Sequence, residues 1–248
     1  MKQQYIGQRG SNRLILFFCG WGMDKHLLTN LQSDKYDLLC CFDYRNLTFD
    51  TTVLMGYKEI MVVAWSLGVW VASQVLPQNS LTVCRSVAIN GTLTPIDDER
   101  GIPFHIFQGT IEHLDERGLR KFNRRMCNTA EDFEAFLQVA SHRSVDELKE
   151  ELICLRNYIL KDKDSLESKS SDVSKLDIDG LNGLALAGKE KSWKWSDVYL
   201  SLSDRIFPSE NQQKAWEGIA PIETISEGHY CPRLFSELAG AYGQEFNQ

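Results

Sequence analysis

The sequence predicts an α/β protein: a mostly parallel central sheet, helices on both faces, and a block of helices inserted before the last strands. Three observations predict it. Strand-like runs recur at 14–18, 37–42, 60–64, 86–90, 197–201 and 222–226. Several are continuously apolar, as parallel strands covered on both faces are. Segments of helical character lie between them, at 26–31, 69–76 and 210–216, and such alternation builds an α/β sheet. The alternation stops between residues 110 and 183, where helical segments follow one another. The expected organisation is a core of residues 1–109 and 184–248 with an insertion of 110–183.

The first strand, Leu14-Ile-Leu-Phe-Phe18, runs into Cys19-Gly-Trp-Gly22. The 37–42 strand has no motif at its end. The 60–64 strand ends in Ala64-Trp-Ser-Leu-Gly68, and an apolar helical segment follows. A serine with small residues two before and two after it, between a strand and a helix, is a nucleophile elbow with Ala64 in the first glycine position. The bland alternative for Ser66 is a structural serine in a tight turn. The 86–90 strand is followed by Asp97 and Asp98. The 197–201 strand leads into Asp204 in Ser203-Asp-Arg-Ile-Phe-Pro208, and the 222–226 strand into Gly228 and His229.

These pieces come in the chain order serine, acid, histidine of the α/β-hydrolase fold. Ser66 is therefore the candidate nucleophile, His229 its base and Asp204 the orienting acid. The chemistry needs these types: a serine hydroxyl is a poor nucleophile until a neutral imidazole takes its proton, and the carboxylate stabilises the imidazolium. Asp204 is preferred to Asp97 or Asp98 because it follows the penultimate strand and precedes the histidine. The backbone N–H groups of Trp21 and Leu67 are the candidate oxyanion hole. Taken alone, Gly-Trp-Gly is an ordinary turn after a strand.

Within the insertion, three helices are expected, at 111–127, 130–141 and 145–160. Thr129 with Asp132, and Ser144 with Glu147, have capping-box spacing. Leu148, Leu152, Leu155 and Ile159 form one apolar stripe. The polar, Ser-rich stretch 161–171 is expected to be a loop. Hydrolases of this fold carry a lid at such an insertion. Arg117, Arg120, Lys121, Arg124 and Arg125 share one helical face. That face is either solvated or a docking surface for an acidic partner.

Composition bounds the reading. The 248 residues are 43% hydrophobic and 25% charged, as in ordinary globular proteins. The net charge of -7 argues against a general nucleic-acid binder. No apolar stretch approaches the roughly 20 residues that span a bilayer, and the N-terminus has no apolar signal-peptide core, so a cytoplasmic protein without membrane attachment is expected. The seven cysteines, five of them (Cys19, Cys40, Cys41, Cys84, Cys154) in apolar contexts, are expected as buried free thiols. With no C-x-x-C or H-E-x-x-H pattern, no metal site and no cofactor are expected. Gly183-Leu-Ala-Leu-Ala-Gly-Lys-Glu190 falls short of a P-loop, because Glu stands where a magnesium-binding hydroxyl belongs. His26, His105, His113 and His142 are expected to cap, pack or face solvent.

Beyond the triad pattern, Gly20-Trp-Gly22 and Trp65-Ser-Leu-Gly68 together resemble the pimeloyl-[acyl-carrier protein] methyl ester esterases of biotin synthesis. Asn90-Gly-Thr-Leu-Thr-Pro-Ile-Asp-Asp98, Phe107-Gln-Gly-Thr110 and Lys121-Phe-Asn-Arg-Arg-Met-Cys127 resemble the smaller-lidded type of that group. One departure is Cys19, where many hydrolases have histidine; a hole built of backbone donors tolerates it. The resemblance implies hydrolysis of the methyl ester of a pimeloyl chain carried on acyl carrier protein, with that acidic partner against the basic face. The other readings are a general short-chain carboxylesterase or thioesterase, and a catalytically silent hydrolase fold used for binding.

Overall fold

The computed structural model of the chain describes residues 1–7, 10–31, 33, 35–76, 83–173 and 193–244, with 164–173 described in their backbone only. Strands β1 (Lys2–Gly7), β2 (Arg13–Phe18), β3 (Asp37–Phe42) and β4 (Glu59–Trp65) precede helix α1 (Leu67–Val75) and strand β5 (Val83–Ile89). Helices α2 (Phe104–Glu112), α3 (Glu116–Met126), α4 (Ala130–Leu137) and α5 (Val145–Val173) follow in succession. Strand β6 (Asp197–Ser201), helix α6 (Ser209–Trp216), strand β7 (Ile222–Ile225) and helix α7 (Pro232–Gln244) complete the described elements.

The strands form one sheet in the order β1-β3-β2-β4-β5-β6-β7. All neighbours pair in parallel except β1, which runs antiparallel to β3 with Lys2 opposite Phe42. Every residue of β2 and β3 is buried, which explains their unbroken apolar runs. The carboxyl ends of β2, β4, β6 and β7 lead into the loops of Trp21, Ser66, Asp204 and His229, so the sheet gathers distant segments at one edge.

Strand β1 is absent from the sequence expectation. It is an edge strand of alternating exposed and half-buried residues, rich in polar side chains, so it lacks the apolar run of the central strands. The expected helix at 111–127 is two helices. Asp115 caps α3, its carboxylate accepting from the Gly118 N–H at 2.6 Å, and the chain turns between Glu112 and Glu116. The helical block also begins earlier than expected, at Phe104.

The stretch 161–171 is helix rather than loop: α5 continues to Val173. No glycine or proline interrupts it, and its Lys, Glu and Asp residues are compatible with a helix. Lys163 reaches Asp97 at 3.0 Å, tying this part of α5 to the loop after β5. The two capping boxes are present at Thr129–Asp132 and Ser144–Glu147. Cys84 is exposed and Cys154 half-buried, not buried; Cys84 lies near the start of β5, before the strand enters the core, and Cys154 lies on α5. The near-P-loop at 183–190 and the expected boundary at 183 lie outside the described residues. No helix among the described residues is long and apolar enough to cross a membrane.

Candidate active site

The turn from β4 into α1 puts Ser66 at φ 60°, ψ -130°, a backbone conformation that L-residues rarely adopt. The neighbourhood enforces it. The Ser66 N–H bonds the Ile89 carbonyl at 2.8 Å. A Cβ on Gly68 would stand 2.5 Å from the carbonyl oxygens of Phe18 and Cys19, so only glycine fits there. A Cβ on Gly20 would lie 3.1 Å from the Ser66 Cβ and 3.1 Å from the Trp65 ring, so this glycine lets the loop after β2 approach the serine.

The three residues expected to act together are together. Ser66 Oγ is 2.9 Å from His229 Nε2, and His229 Nδ1 is 2.8 Å from Asp204 Oδ2. His229 is 1% exposed and Ser66 6%, so bulk water competes little for these bonds. Asp204 Oδ1 accepts from the Ile206 and Phe207 N–H groups at 2.7 and 3.0 Å. Asp97 and Asp98 are engaged elsewhere: Asp97 with Lys163 and the Glu99 and Arg100 N–H groups, Asp98 with the Phe104 N–H.

Trp21 and Leu67 line the same cavity as Ser66 and His229. Leu67 is the first residue of α1, so its N–H has no partner within the helix. The Trp21 side chain fixes its own loop: the indole N–H donates to the Leu148 carbonyl of α5 at 2.8 Å, and the ring meets Phe122 edge-on at 4.9 Å. Ile106, Phe122, Met126 and Leu152 make the remaining wall largely apolar. Burial pushes the nearby Cys127 thiol up to about 11 and the Cys231 thiol well above its ordinary value. Both therefore stay protonated at neutral pH and are poor nucleophiles beside Ser66.

Two residues that sequence reasoning missed hold the histidine loop. The Trp65 indole N–H donates to the His229 carbonyl at 2.8 Å. Asn90, fully buried and at φ 46°, donates through Nδ2 to the same carbonyl at 2.9 Å and to that of Gly228 at 3.1 Å. Its Oδ1 accepts from the Ser201 N–H at 2.7 Å, so one side chain links the loops of Asp204 and His229.

The five basic residues of α3 divide into two sets. Arg117, Arg120 and Lys121 are exposed, with the Arg120 guanidinium 5.2 Å from the Phe133 ring centre. Arg124 is half-buried and Arg125 exposed, and both donate to carbonyls, of Cys127 at 2.9 Å and Arg205 at 3.0 Å. Ile106, Thr110, Phe122 and Arg125 border both the Ser66 cavity and an outer groove whose other walls include His113 and Lys121. The two spaces are thus adjacent, and the outer one carries Lys121 and Arg125 at its wall. His26 and His142 stack at 4.1 Å, and Asp24 bonds His26 at 2.8 Å; neither histidine lines the Ser66 cavity.

A family model described as "Pimeloyl-ACP methyl esterase BioG" matches residues 1–173. A malonyl-[acyl-carrier protein] O-methyltransferase of Bacteroides fragilis is 43% identical over 226 residues, 90% of this chain. The chain spans 40% of that relative's length. The crystal structure of BioG from Haemophilus influenzae superposes with a TM-score of 0.76 at 33% identity, over 95% of this chain and 97% of that one. An esterase from Exiguobacterium antarcticum superposes with a TM-score of 0.63 at 14% identity, over 97% and 94% of the two chains, a likeness of fold alone. The fold is that of the α/β hydrolases.

Proposed function

The chain belongs to the BioG family, and from that premise we propose that it is a serine esterase that cleaves the methyl ester of pimeloyl-acyl carrier protein in biotin synthesis. The observation that carries the reading is the unbroken chain of short contacts from Ser66 through His229 to Asp204 at the floor of an apolar cavity. His229 Nε2 takes the Ser66 proton as Oγ attacks the ester carbonyl. The N–H groups of Trp21 and Leu67 receive the developing oxyanion; one such donor is worth about 10²–10³ in turnover in other serine hydrolases. His229 returns the proton to the departing methoxide, so methanol leaves. Water, deprotonated by His229, then attacks the acyl-serine; the acyl–Oγ bond breaks, Ser66 Oγ takes the proton back from His229, and the product is a free carboxylate on the carrier protein. The array needs neither metal nor cofactor for these steps.

The helices between β5 and β6 act as the lid. The apolar cavity takes the acyl chain, and the exposed cations of α3 face the acidic carrier protein. The name of the Bacteroides relative joins an acyl carrier protein to methyl transfer. Because the match covers less than half of that protein, we place its methyltransferase activity in the unmatched part.

The test is incubation of the enzyme with pimeloyl-acyl carrier protein methyl ester, with mass analysis of the carrier protein and assay of methanol. The proposal requires loss of one methylene equivalent from the carrier-bound acyl group with wild type and none with Ser66→Ala. Turnover of p-nitrophenyl acetate without turnover of the carrier-bound ester would favour a general short-chain esterase. No turnover of either would favour a silent binding module.

A further inference from the structure

Asp204 accepts a fourth bond from a residue outside every motif discussed so far. Gln212 lies in α6, is 0% exposed, and donates through Nε2 to Asp204 Oδ2 at 3.1 Å and to the Phe207 carbonyl at 3.0 Å. Both partners are acceptors only, so the NH₂ end of the amide must face them. Gln212 Oε1, at the other end, is buried and has no hydrogen-bond partner among the described residues. A side chain present only to fill space would leave no such orphan, since an apolar residue packs there without burying an unpaired oxygen.

The effect on Asp204 follows from counting lone pairs. A carboxylate offers about four acceptor positions. Two on Oδ1 are taken by the Ile206 and Phe207 N–H groups, and those on Oδ2 by Gln212 and His229. With one side of Oδ2 occupied by the Gln212 amide, the position left open points at His229 Nδ1.

We propose that Gln212 is a positioning residue that locks the Asp204 carboxylate in line with His229 through its N–H bond to Oδ2. The proposal rests on the reading of Ser66, His229 and Asp204 as a working triad. Gln212 touches no reacting atom; it acts through Asp204 alone.

The experiment is steady-state hydrolysis of p-nitrophenyl acetate by the full chain carrying Gln212→Met, Asp204→Asn, or both. Gln212→Met should lower kcat on the order of ten- to a hundredfold, the scale of a small misplacement in an active site, with KM within about twofold. Its thermal midpoint should stay within a few degrees of wild type, because the orphan oxygen is gone while the Phe207 carbonyl loses its donor. In the Asp204→Asn background the same change should add less than about twofold, because residues acting as one unit are not additive. Should Gln212→Met fail to fold, Gln212→Leu takes its place; it too has no donor for either acceptor, so kcat should again fall at least tenfold. Unchanged kcat in the variant that folds overturns the proposal. So does an equal loss with and without Asp204, which would mark a purely structural role. Wild-type turnover by Asp204→Asn would instead overturn the triad reading itself.

Discussion

At the scale of single residues, the site depends on where backbone is allowed to go. Gly68→Ala puts a Cβ against two carbonyl oxygens that belong to β2 and the loop after it. Backbone must shift to admit it, and overpacking of this kind costs about 1–3 kcal/mol. Urea unfolding should show that loss, and p-nitrophenyl acetate turnover should fall with it, because the shifted loop carries Trp21. The acid is a sharper test. Asp204→Asn should leave the fold intact and lower turnover by about 10⁴, as in other triads where the imidazole is left in the wrong tautomer. Asp97→Asn and Asp98→Asn should each stay within about threefold of wild type, since rim contacts such as the one with Lys163 contribute little. Dead Asp97 or Asp98 variants beside an active Asp204→Asn would move the acid to the other loop. Ser66, Asp204 and His229 were legible in the sequence because each sits in a local signature at a strand end. Asn90 and Gln212 were not. Asn90 acts on a carbonyl 139 residues away, and no spacing rule relates the two. Gln212 reads as one more polar residue of a short helix until α6 is folded over the acid.

At the scale of elements, α5 runs well past the end of its apolar pattern. Its apolar stripe ends at Ile159, and only the absence of glycine and proline hinted that the helix goes on. What ties its start to the sheet was equally hidden. Arg143 stands 2.7 Å from Glu151 and 3.2 Å from Asp43, all nearly or fully buried, and the Tyr44 N–H donates to Glu151 at 2.8 Å. Arg45 bonds Asp43 and reaches Glu147 and Glu150 on the same helix. Arg143→Met would leave Glu151 and Asp43 short of their buried counter-charge, and breaking such a pair costs about 3–5 kcal/mol. Urea unfolding reads this directly; a loss under about 1 kcal/mol would mean that water solvates the carboxylates or that Arg45 supplies the missing charge. The cluster also sets a pH response. Burial alone would raise the Asp43 carboxyl, but the Arg45 and Lys2 hydrogen bonds and the nearby Arg143 outweigh it and hold it well below the usual range. A carboxyl lowered on folding adds stability above its unfolded value of about 3.9 and loses it as pH falls toward the folded one. Glu151 goes the other way: burial raises it, with Arg143 only partly opposing, so its ionised form weakens the fold. Asp43→Asn keeps a residue type that tolerates the positive φ of 58° at this position. Its unfolding free energy should therefore be lower than wild type at pH 6 and should fall less steeply below about pH 4. Parallel curves would remove Asp43 from the acid response.

At the scale of the whole molecule, charge decides how the proposed substrate arrives. The chain carries a net charge of -7, and a carrier protein is acidic, so the two repel at long range. Encounter requires a concentrated positive patch close to the entrance. All five cations of α3 belong to one stripe, but folding gives two of them carbonyl partners. Arg124 and Arg125 spend their guanidinium groups on carbonyls of Cys127 and Arg205, and Arg125 also borders the Ser66 cavity, so changing them risks the cavity itself. Arg117 and Lys121 are exposed one turn apart, and Lys121 lines the groove that adjoins the cavity. They are the pair to reverse. Arg117→Glu with Lys121→Glu should lower kcat/KM for the carrier-bound methyl ester about tenfold at low salt, through slower encounter. The deficit should shrink as salt rises, because a Debye length of about 8 Å at 0.15 M screens such rim charges. Hydrolysis of p-nitrophenyl acetate should be unchanged, since that small ester is neutral and needs no docking. Equal losses on both esters would show that the cations hold α3 in place. No loss on either would leave this face solvated and remove the electrostatic argument for an acidic protein partner.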